Sequence, residues 1–328
     1  MPKNWNEFLR VDANKKELFS FLAKQISTAG FGQGKQVITT KEEQVLCSPL
    51  RLDTSILTPC NHEEADTRML VHAADASKAG YKNIIIRTVD TDVVIISIAM
   101  TQNLHINELW IAFGTGSNLR YLAAHEIASR LGPEKATSLP VFHAFTGCDT
   151  VSFFSGKGKK TAWNTWMVYE EATSAFLELS YSPEDVSKEC LRKLQRFVVL
   201  LYDRTRTEMQ VNEARKQLFA QTGRSIQAIP PTQAALVQHT RRAAYQGGHC
   251  RGQALVPKMN LPSPSQWGWM QSDAGWKPFW TTLPDVSSSC DALIKCRCKK
   301  GCRSNCSCVR VTLMCTALCT CGGDCGMD

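Results

Sequence analysis

Apolar positions along this chain change their period several times, and each change marks a change of element. Leu18, Phe21, Leu22 and Ile26 recur at helical spacing behind Asp12 and Asn14, so residues 1–30 read as helical, with either polar residue as a cap. Gln36–Thr40 is a short β-rich run after the glycines at 30, 32 and 34. From Thr58 to about Lys160 the pattern turns to α/β. Ala65, Met69, Leu70, Ala73 and Ala76 make a helical stripe that Gly80 can terminate. Three runs apolar on both faces follow: Asn83–Thr88 (NIIIRT), Val93–Ile98 (VVIISI) and Leu109–Phe113 (LWIAF). They predict buried strands of a mostly parallel sheet. Leu119–Arg130 and Ala136–Phe145 predict helices, and Thr161–Ala220 reads as mostly helical, including the apolar run Phe197–Tyr202.

Between about 225 and 265 the pattern dissolves. Pro230-Pro231, Gly247-Gly248 and three prolines from 257 to 264 predict a linker or loosely packed connection. Trp267, Trp269, Trp276 and Trp280 then crowd one short stretch. Two readings stand: a small apolar core that docks the tail onto the body, or a surface for bases or peptides. The expected organisation is an N-terminal helical segment (1–57), an α/β core with a helical extension (58–222), a Pro/Gly/Trp-rich linker (223–285) and a small Cys-rich domain (286–328).

Composition narrows the class. The chain has 328 residues, a length suited to two domains, and 43% hydrophobic residues, enough for a proper core. Its most apolar segment, Asn83–Met100, is broken by Arg87, Asp90 and Asp92, so no run reaches the roughly 18–20 apolar residues of a membrane helix. The N-terminus MPKNWNEFLR lacks a signal-peptide layout, and the expectation is a soluble intracellular protein with no membrane partner. In a reducing compartment clustered cysteines hold metal rather than disulfides. The net charge of +8 modestly favours an anionic partner such as nucleic acid.

Nine of the 15 cysteines fall in the last 33 residues: Cys296, Cys298, Cys302, Cys306, Cys308, Cys315, Cys319, Cys321 and Cys325. Three C-x-C pairs alternate with single cysteines, so neighbouring thiolates can serve neighbouring metals. Zinc takes four thiolates in a tetrahedron at about 2.3 Å. Three separate tetrahedra would need twelve sulfurs; nine suffice if three of them bridge. Nine thiolates with three Zn2+ carry three negative charges, which Lys295, Arg297, Lys299, Lys300, Arg303 and Arg310 offset against Asp291, Asp324 and Asp328. Such a segment has almost no apolar core, and metal would supply its folding energy. An odd cysteine number and no signal layout speak against a disulfide knot. Cys290 lies outside the pattern. The tail resembles the Tesmin-like CXC domain over about Lys295–Cys325, which implies a zinc cluster and DNA binding. This chain has one copy where that family usually has two, and Asn305 stands where a tyrosine precedes the central C-x-C.

Acidic residues recur where strands end and helices begin: Glu64 and Asp66 in NHEEADTR, Asp90 and Asp92 in TVDTDVV, Asp149 in TGCDTVSFF. Open α/β sheets assemble sites at the carboxyl ends of their strands. Five carboxylates converging there could not all ionise unaided. Two Mg2+ or Mn2+ ions would relieve the repulsion, activate water and stabilise a leaving phosphate oxygen. Singly, each motif is an ordinary helix cap or solvated loop.

Their order resembles the flap endonuclease/XPG family of PIN-like nucleases over about Thr58–Thr165. The matching strings are Glu64-Ala65-Asp66, Asp90-Thr91-Asp92, Gly147-Cys148-Asp149 and, seven residues after Asp149, Gly156-Lys157-Gly158-Lys159-Lys160. The resemblance implies an α/β fold with a mostly parallel sheet flanked by helices. It also implies catalytic metal ligands at Glu64, Asp66, Asp90, Asp92 and Asp149, and nucleic-acid contacts at Gly156, Lys157, Gly158, Lys159 and Lys160. Residues 1–57 show no match to the strand and helices that bring two further acids in that family. GKGKKT is not a phosphate-binding P-loop, because Val151 or Phe153 stands where its first glycine belongs. The functional expectation is a nuclear, metal-dependent, structure-selective nuclease-like protein acting on DNA. The alternative is a catalytically inactive DNA- or chromatin-binding protein on the same scaffold, and a weaker third is a protein-interaction adaptor.

Overall fold

In a computed structural model the chain forms two compact units, residues 1–279 and 280–328. The structure describes residues 2–181, 184–220, 228–279, 281, 296–298, 302–303, 306, 308–309, 314–315 and 319–321. Trp280, Cys290, Lys295, Lys299, Lys300, Arg310 and Cys325 lie outside them.

The first unit opens with helices α1 (Trp5–Phe8) and α2 (Asp12–Thr28), followed by a hairpin of β1 (Val37–Lys41) and β2 (Gln44–Ser48). Neither expected cap serves α2. Val11 holds the N-cap position without a side-chain bond, and the Asn14 amide donates back to the Phe8 carbonyl. Then come α3 (Ala65–Lys78), β3 (Asn83–Thr88), α4 (Thr91–Met100), β4 (Glu108–Phe113), β5 (Arg120–Ala123), α5 (Ala124–Leu131) and α6 (Pro133–Phe145). Gly80, at φ +95°, follows the last turn of α3, as the sequence predicts.

Two strand expectations are corrected. VVIISI is not a strand but most of α4. The Asp90 carboxylate accepts the Asp92 N–H at 2.8 Å and starts a helix directly after β3. A helix apolar on all sides belongs in a core, and Val93, Ile96 and Ile98 are all buried. The sheet is accordingly small and mixed rather than mostly parallel. In the order β3-β4-β5, β3 pairs parallel to β4, while β4 pairs antiparallel to β5. Residues 120–123, expected as helix, form that third strand.

Helix α6 is the axis of the core. From Ser138 to Phe145 every side chain on it is buried. Around it pack α7 (Lys159–Val168), α8 (Ala172–Ser180), α9 (Lys188–Tyr202) and α11 (Gln233–Ala244), with α10 (Val211–Ala220) against α9. The contacts are aromatic: Phe142 stacks on Trp166 at 4.6 Å between centroids, and Phe145 meets Phe176 and Phe197 edge-on.

The largest departure from expectation is the supposed linker. Residues 233–244 are α11, and Tyr245–Cys250 continue it as one stretch of π-helix. Leu236, Ala243, Ala244 and Arg251 are buried. A β-carbon on Gly247 would sit 2.5 Å from the Val141 Cα, so Gly247 is what lets this segment lie against α6. Gly247 marks a close packing contact, not a flexible joint. Farther on, Trp267 is buried in the same core, and β6 (Trp269–Ser272) and β7 (Gly275–Pro278) form a closing hairpin with Trp276 exposed.

Candidate functional site

The loop before α3 is tied to the end of the chain's first unit. Asn61 exchanges two hydrogen bonds with Met259 through its side chain, and its backbone N–H donates to the Pro257 carbonyl. His62 Nε2 donates to the Val256 carbonyl at 2.6 Å, which leaves Nδ1 to accept from Thr67. Burial pushes the His62 pKa down, so this ring is a structural tie. The consequence is that Glu64 and Asp66, at the start of α3, stand beside Arg251.

Four of the five sequence-selected acids, Glu64, Asp66, Asp92 and Asp149, line one cleft of about 250 Å3 together with Gln246 and Arg251. The fifth, Asp90, joins through Asp66 and Asp92: one carboxylate oxygen of each of the three lies within 4.8 Å of the others. Two helix N-termini, those of α3 and α4, therefore meet here, each favouring negative charge in its first turn. Glu64 holds the N-cap position of α3 yet makes no capping bond. Asp149 comes from the loop after α6. Gly147 there has φ +109° and its absent Cβ would lie 2.6 Å from that of Phe153, so only glycine closes this turn.

Electrostatics register the crowding. Burial raises the pKa of Asp66 to about 6, with Asp90, Glu64 and Asp92 adding to it and Arg251 opposing. Glu64 and Asp92 are also pushed up, first by burial. A raised carboxyl pKa means that the charged form destabilises the fold. The cost is absent below about pH 4 and fully present above about pH 6. Two pKa units would amount to roughly 3 kcal/mol, which partial exposure cuts to about 1–2 kcal/mol. Asp66→Asn is thus expected to raise the Tm of the metal-free protein by about 2–6 °C at pH 7.5 and to change little at pH 4. A lower Tm at pH 7.5 would show that Asp66 is instead a stabilising cap.

Three residues at the site carry no sequence motif: His143 on α6, Gln246 and Arg251. Arg251 pairs with the Asp92 Oδ2, and its other terminal nitrogen donates to His143 Nδ1 at 3.2 Å. Arginine cannot accept, so His143 Nδ1 is the acceptor and the ring proton sits on Nε2, 3.4 Å from the Asp92 Oδ1. Burial, Lys159 and Arg251 together push the His143 pKa down to about 3, which keeps the ring neutral. Asp92, Arg251 and His143 form a closed ring. Residues 159 positions apart carry no local signal of it.

The glycine-lysine segment is placed differently from expectation. The Lys159 ammonium donates to the His143 and Gly147 carbonyls and the Thr146 hydroxyl, capping the C-terminal end of α6. Lys157 donates to the Tyr202 carbonyl and lies over the Tyr202 ring. Lys160 is exposed, Gly156 has φ +68°, and Gly158 is the N-cap of α7.

In the C-terminal unit Cys296, Cys306, Cys308 and Cys319 are buried, with Cys298, Cys302, Cys315 and Cys321 packed about them. Sulfur separations run from 3.4 Å (Cys302 to Cys315) to 3.8 Å (Cys296 to Cys315). That is far beyond the roughly 2.05 Å of a disulfide. Four sulfurs at about 2.3 Å from a zinc stand about 3.8 Å apart. Cys296, Cys302, Cys315 and Cys321 meet that spacing in five of their six pairs. Two other foursomes, Cys296-Cys302-Cys306-Cys315 and Cys296-Cys308-Cys315-Cys319, have all their sulfurs within 4.8 Å of one another, and Cys296 and Cys315 belong to both. These clustered cysteines could hold zinc ions, with two sulfurs placed to bridge. The thiols of Cys298 and Cys308 are pushed up to about 11, first by burial, while the Val309 N–H draws Cys306 down to about 6.

No family model matches this chain, and no curated protein or solved structure does either. Among the described residues no helix is long and apolar enough to cross a membrane.

Proposed function

We propose that the first unit is a metal-dependent phosphodiesterase of the PIN-like nuclease type acting on nucleic acid, DNA foremost, and that the C-terminal unit is a zinc-cluster CXC module. A nuclear location goes with that reading. The observation that carries it is the meeting of five carboxylates, from two helix starts and one loop, around a single small cleft. Oxygens that share one Mg2+ at about 2.0–2.1 Å lie about 3–4 Å apart, so the Asp66, Asp90 and Asp92 trio fits a hard divalent ion with small adjustments. Divalent ions bound there would supply activated water and charge neutralisation at the phosphate. The chain's own part is to hold Asp90 by its cap, Asp92 through Arg251 and His143, and Asp149 by the Gly147 turn. Phosphates of the duplex would meet Lys160 and the backbone N–H groups at the start of α7, rather than Lys157 and Lys159. In the tail three zincs would share nine thiolates.

A catalytically inactive DNA- or chromatin-binding scaffold is the second reading. It draws support from the Arg251 guanidinium on Asp92 and from Lys157 and Lys159, whose ammonium groups are held by backbone carbonyls. Cleavage of a labelled DNA flap or hairpin in Mg2+ or Mn2+ separates the two. The nuclease reading expects a loss of at least about 1000-fold in Asp90→Ala/Asp92→Ala, in line with removing transition-state charge stabilisation. Equal inertness of both proteins on such substrates would sink it in favour of the scaffold.

A further inference from the structure

Asp92 is common to two groupings of acids. It lines the cleft with Glu64, Asp66 and Asp149, and with Asp66 and Asp90 it forms the trio whose oxygens lie within 4.8 Å of one another. A second divalent ion, shared with Glu64 and Asp149, would need an Asp92 oxygen as well. Arg251 is there already. Its guanidinium lines the same cleft, pairs with Asp92 Oδ2, and is only 2% exposed. Burying an arginine among five acids is favourable only because it is paired, and its Nε has no hydrogen-bond partner. The position is built. Gly247 brings the π-helical turn against Val141, and His143, on the same helix as Val141, accepts from Arg251 and faces the second Asp92 oxygen.

We propose that Arg251 occupies the second cation position of the acidic cleft, so that the resting site takes one divalent ion, at the Asp66, Asp90 and Asp92 trio. The inference rests on the metal-site reading above and adds its stoichiometry. Charge counting agrees with geometry. Five carboxylates against Arg251 and Lys159 leave three negative charges. One divalent ion reduces this to one, whereas a second would leave an excess positive charge beside the buried Arg251 guanidinium. With Arg251 made neutral, four negative charges remain, and two divalent ions balance them.

The test is a Mn2+ titration of the full-length, zinc-loaded chain without nucleic acid, read by electron paramagnetic resonance and calorimetry. Asp90→Ala/Asp92→Ala serves as the blank. The expected counts above that blank are one Mn2+ for the natural chain, two for Arg251→Met and one for the charge-preserving Arg251→Lys. Two Mn2+ in the natural chain, or one in a folded Arg251→Met, overturns the proposal. If Arg251→Met does not fold, the counts for the natural chain and Arg251→Lys still decide. Two ions in the natural chain together with Mg2+-dependent cleavage would refute the role of Arg251 and leave the nuclease reading intact. No Mn2+ above the blank would refute both.

Discussion

Removing zinc from the C-terminal unit is expected to unfold it, while residues 1–279 keep their own thermal transition. Among the described residues of this unit the buried side chains are cysteines, with Val309 the one packed hydrocarbon side chain. A core of thiols that are spaced for tetrahedra but unbonded to one another cannot offset the conformational entropy of its chain. That entropy costs about 1–2 kcal/mol per residue for backbone alone. Structural zinc supplies about 10–16 kcal/mol per site in comparable small modules. Hydrogen exchange before and after a strong chelator should show loss of all slow amides beyond residue 280 and no change in α6. Substitution should be graded too. Cys296→Ser, at a sulfur shared by both candidate foursomes, should release more zinc by native mass spectrometry than Cys298→Ser. Retention of protected amides in the chelated tail would contradict this account.

The second large effect belongs to Gly247. Alanine there would place a carbon 2.5 Å from the Val141 Cα and 2.8 Å from its nitrogen, and backbone atoms cannot step aside as a side chain can. Overpacking of a core ordinarily costs about 1–3 kcal/mol, and a backbone clash belongs at or above the upper end. Gly247→Ala should lower the Tm of the first unit by roughly 6–12 °C. Because Arg251 lies one turn onward, the same change should loosen its hold on Asp92. An unaltered Tm would mean that the π-helical turn does not lie against α6 as described.

Much of the acidic site was legible in the sequence, because its acids follow helix-start and turn chemistry that local strings carry. Glu64, Asp66, Asp90, Asp92 and Asp149 were all selected from such strings, and the structure brings them together. The period of VVIISI misled: a helix buried on all sides and a buried strand share the same run of β-branched residues, and the Asp90 cap is what decides. The Pro and Gly punctuation at 225–265 misled for another reason. Gly247 meets a close approach between helices, a need that leaves the same mark in sequence as a flexible joint. His143 and Arg251 were illegible, since their partnership with Asp92 exists only once α6 and the π-helical segment have packed. Lys157 and Lys159 looked like phosphate contacts because a lysine that caps a carbonyl end reads the same as one that meets solvent. In the tail, C-x-C spacing was informative because cysteine itself supplies the core.

The central claim is that the carboxylates at the starts of α3 and α4 form a divalent metal site. Anomalous diffraction from crystals of the full chain grown with millimolar Mn2+ tests it most directly. The account predicts a manganese peak about 2.0–2.3 Å from carboxylate oxygens of Asp66, Asp90 and Asp92. Crystals that diffract well and show no anomalous peak at those three residues would contradict it.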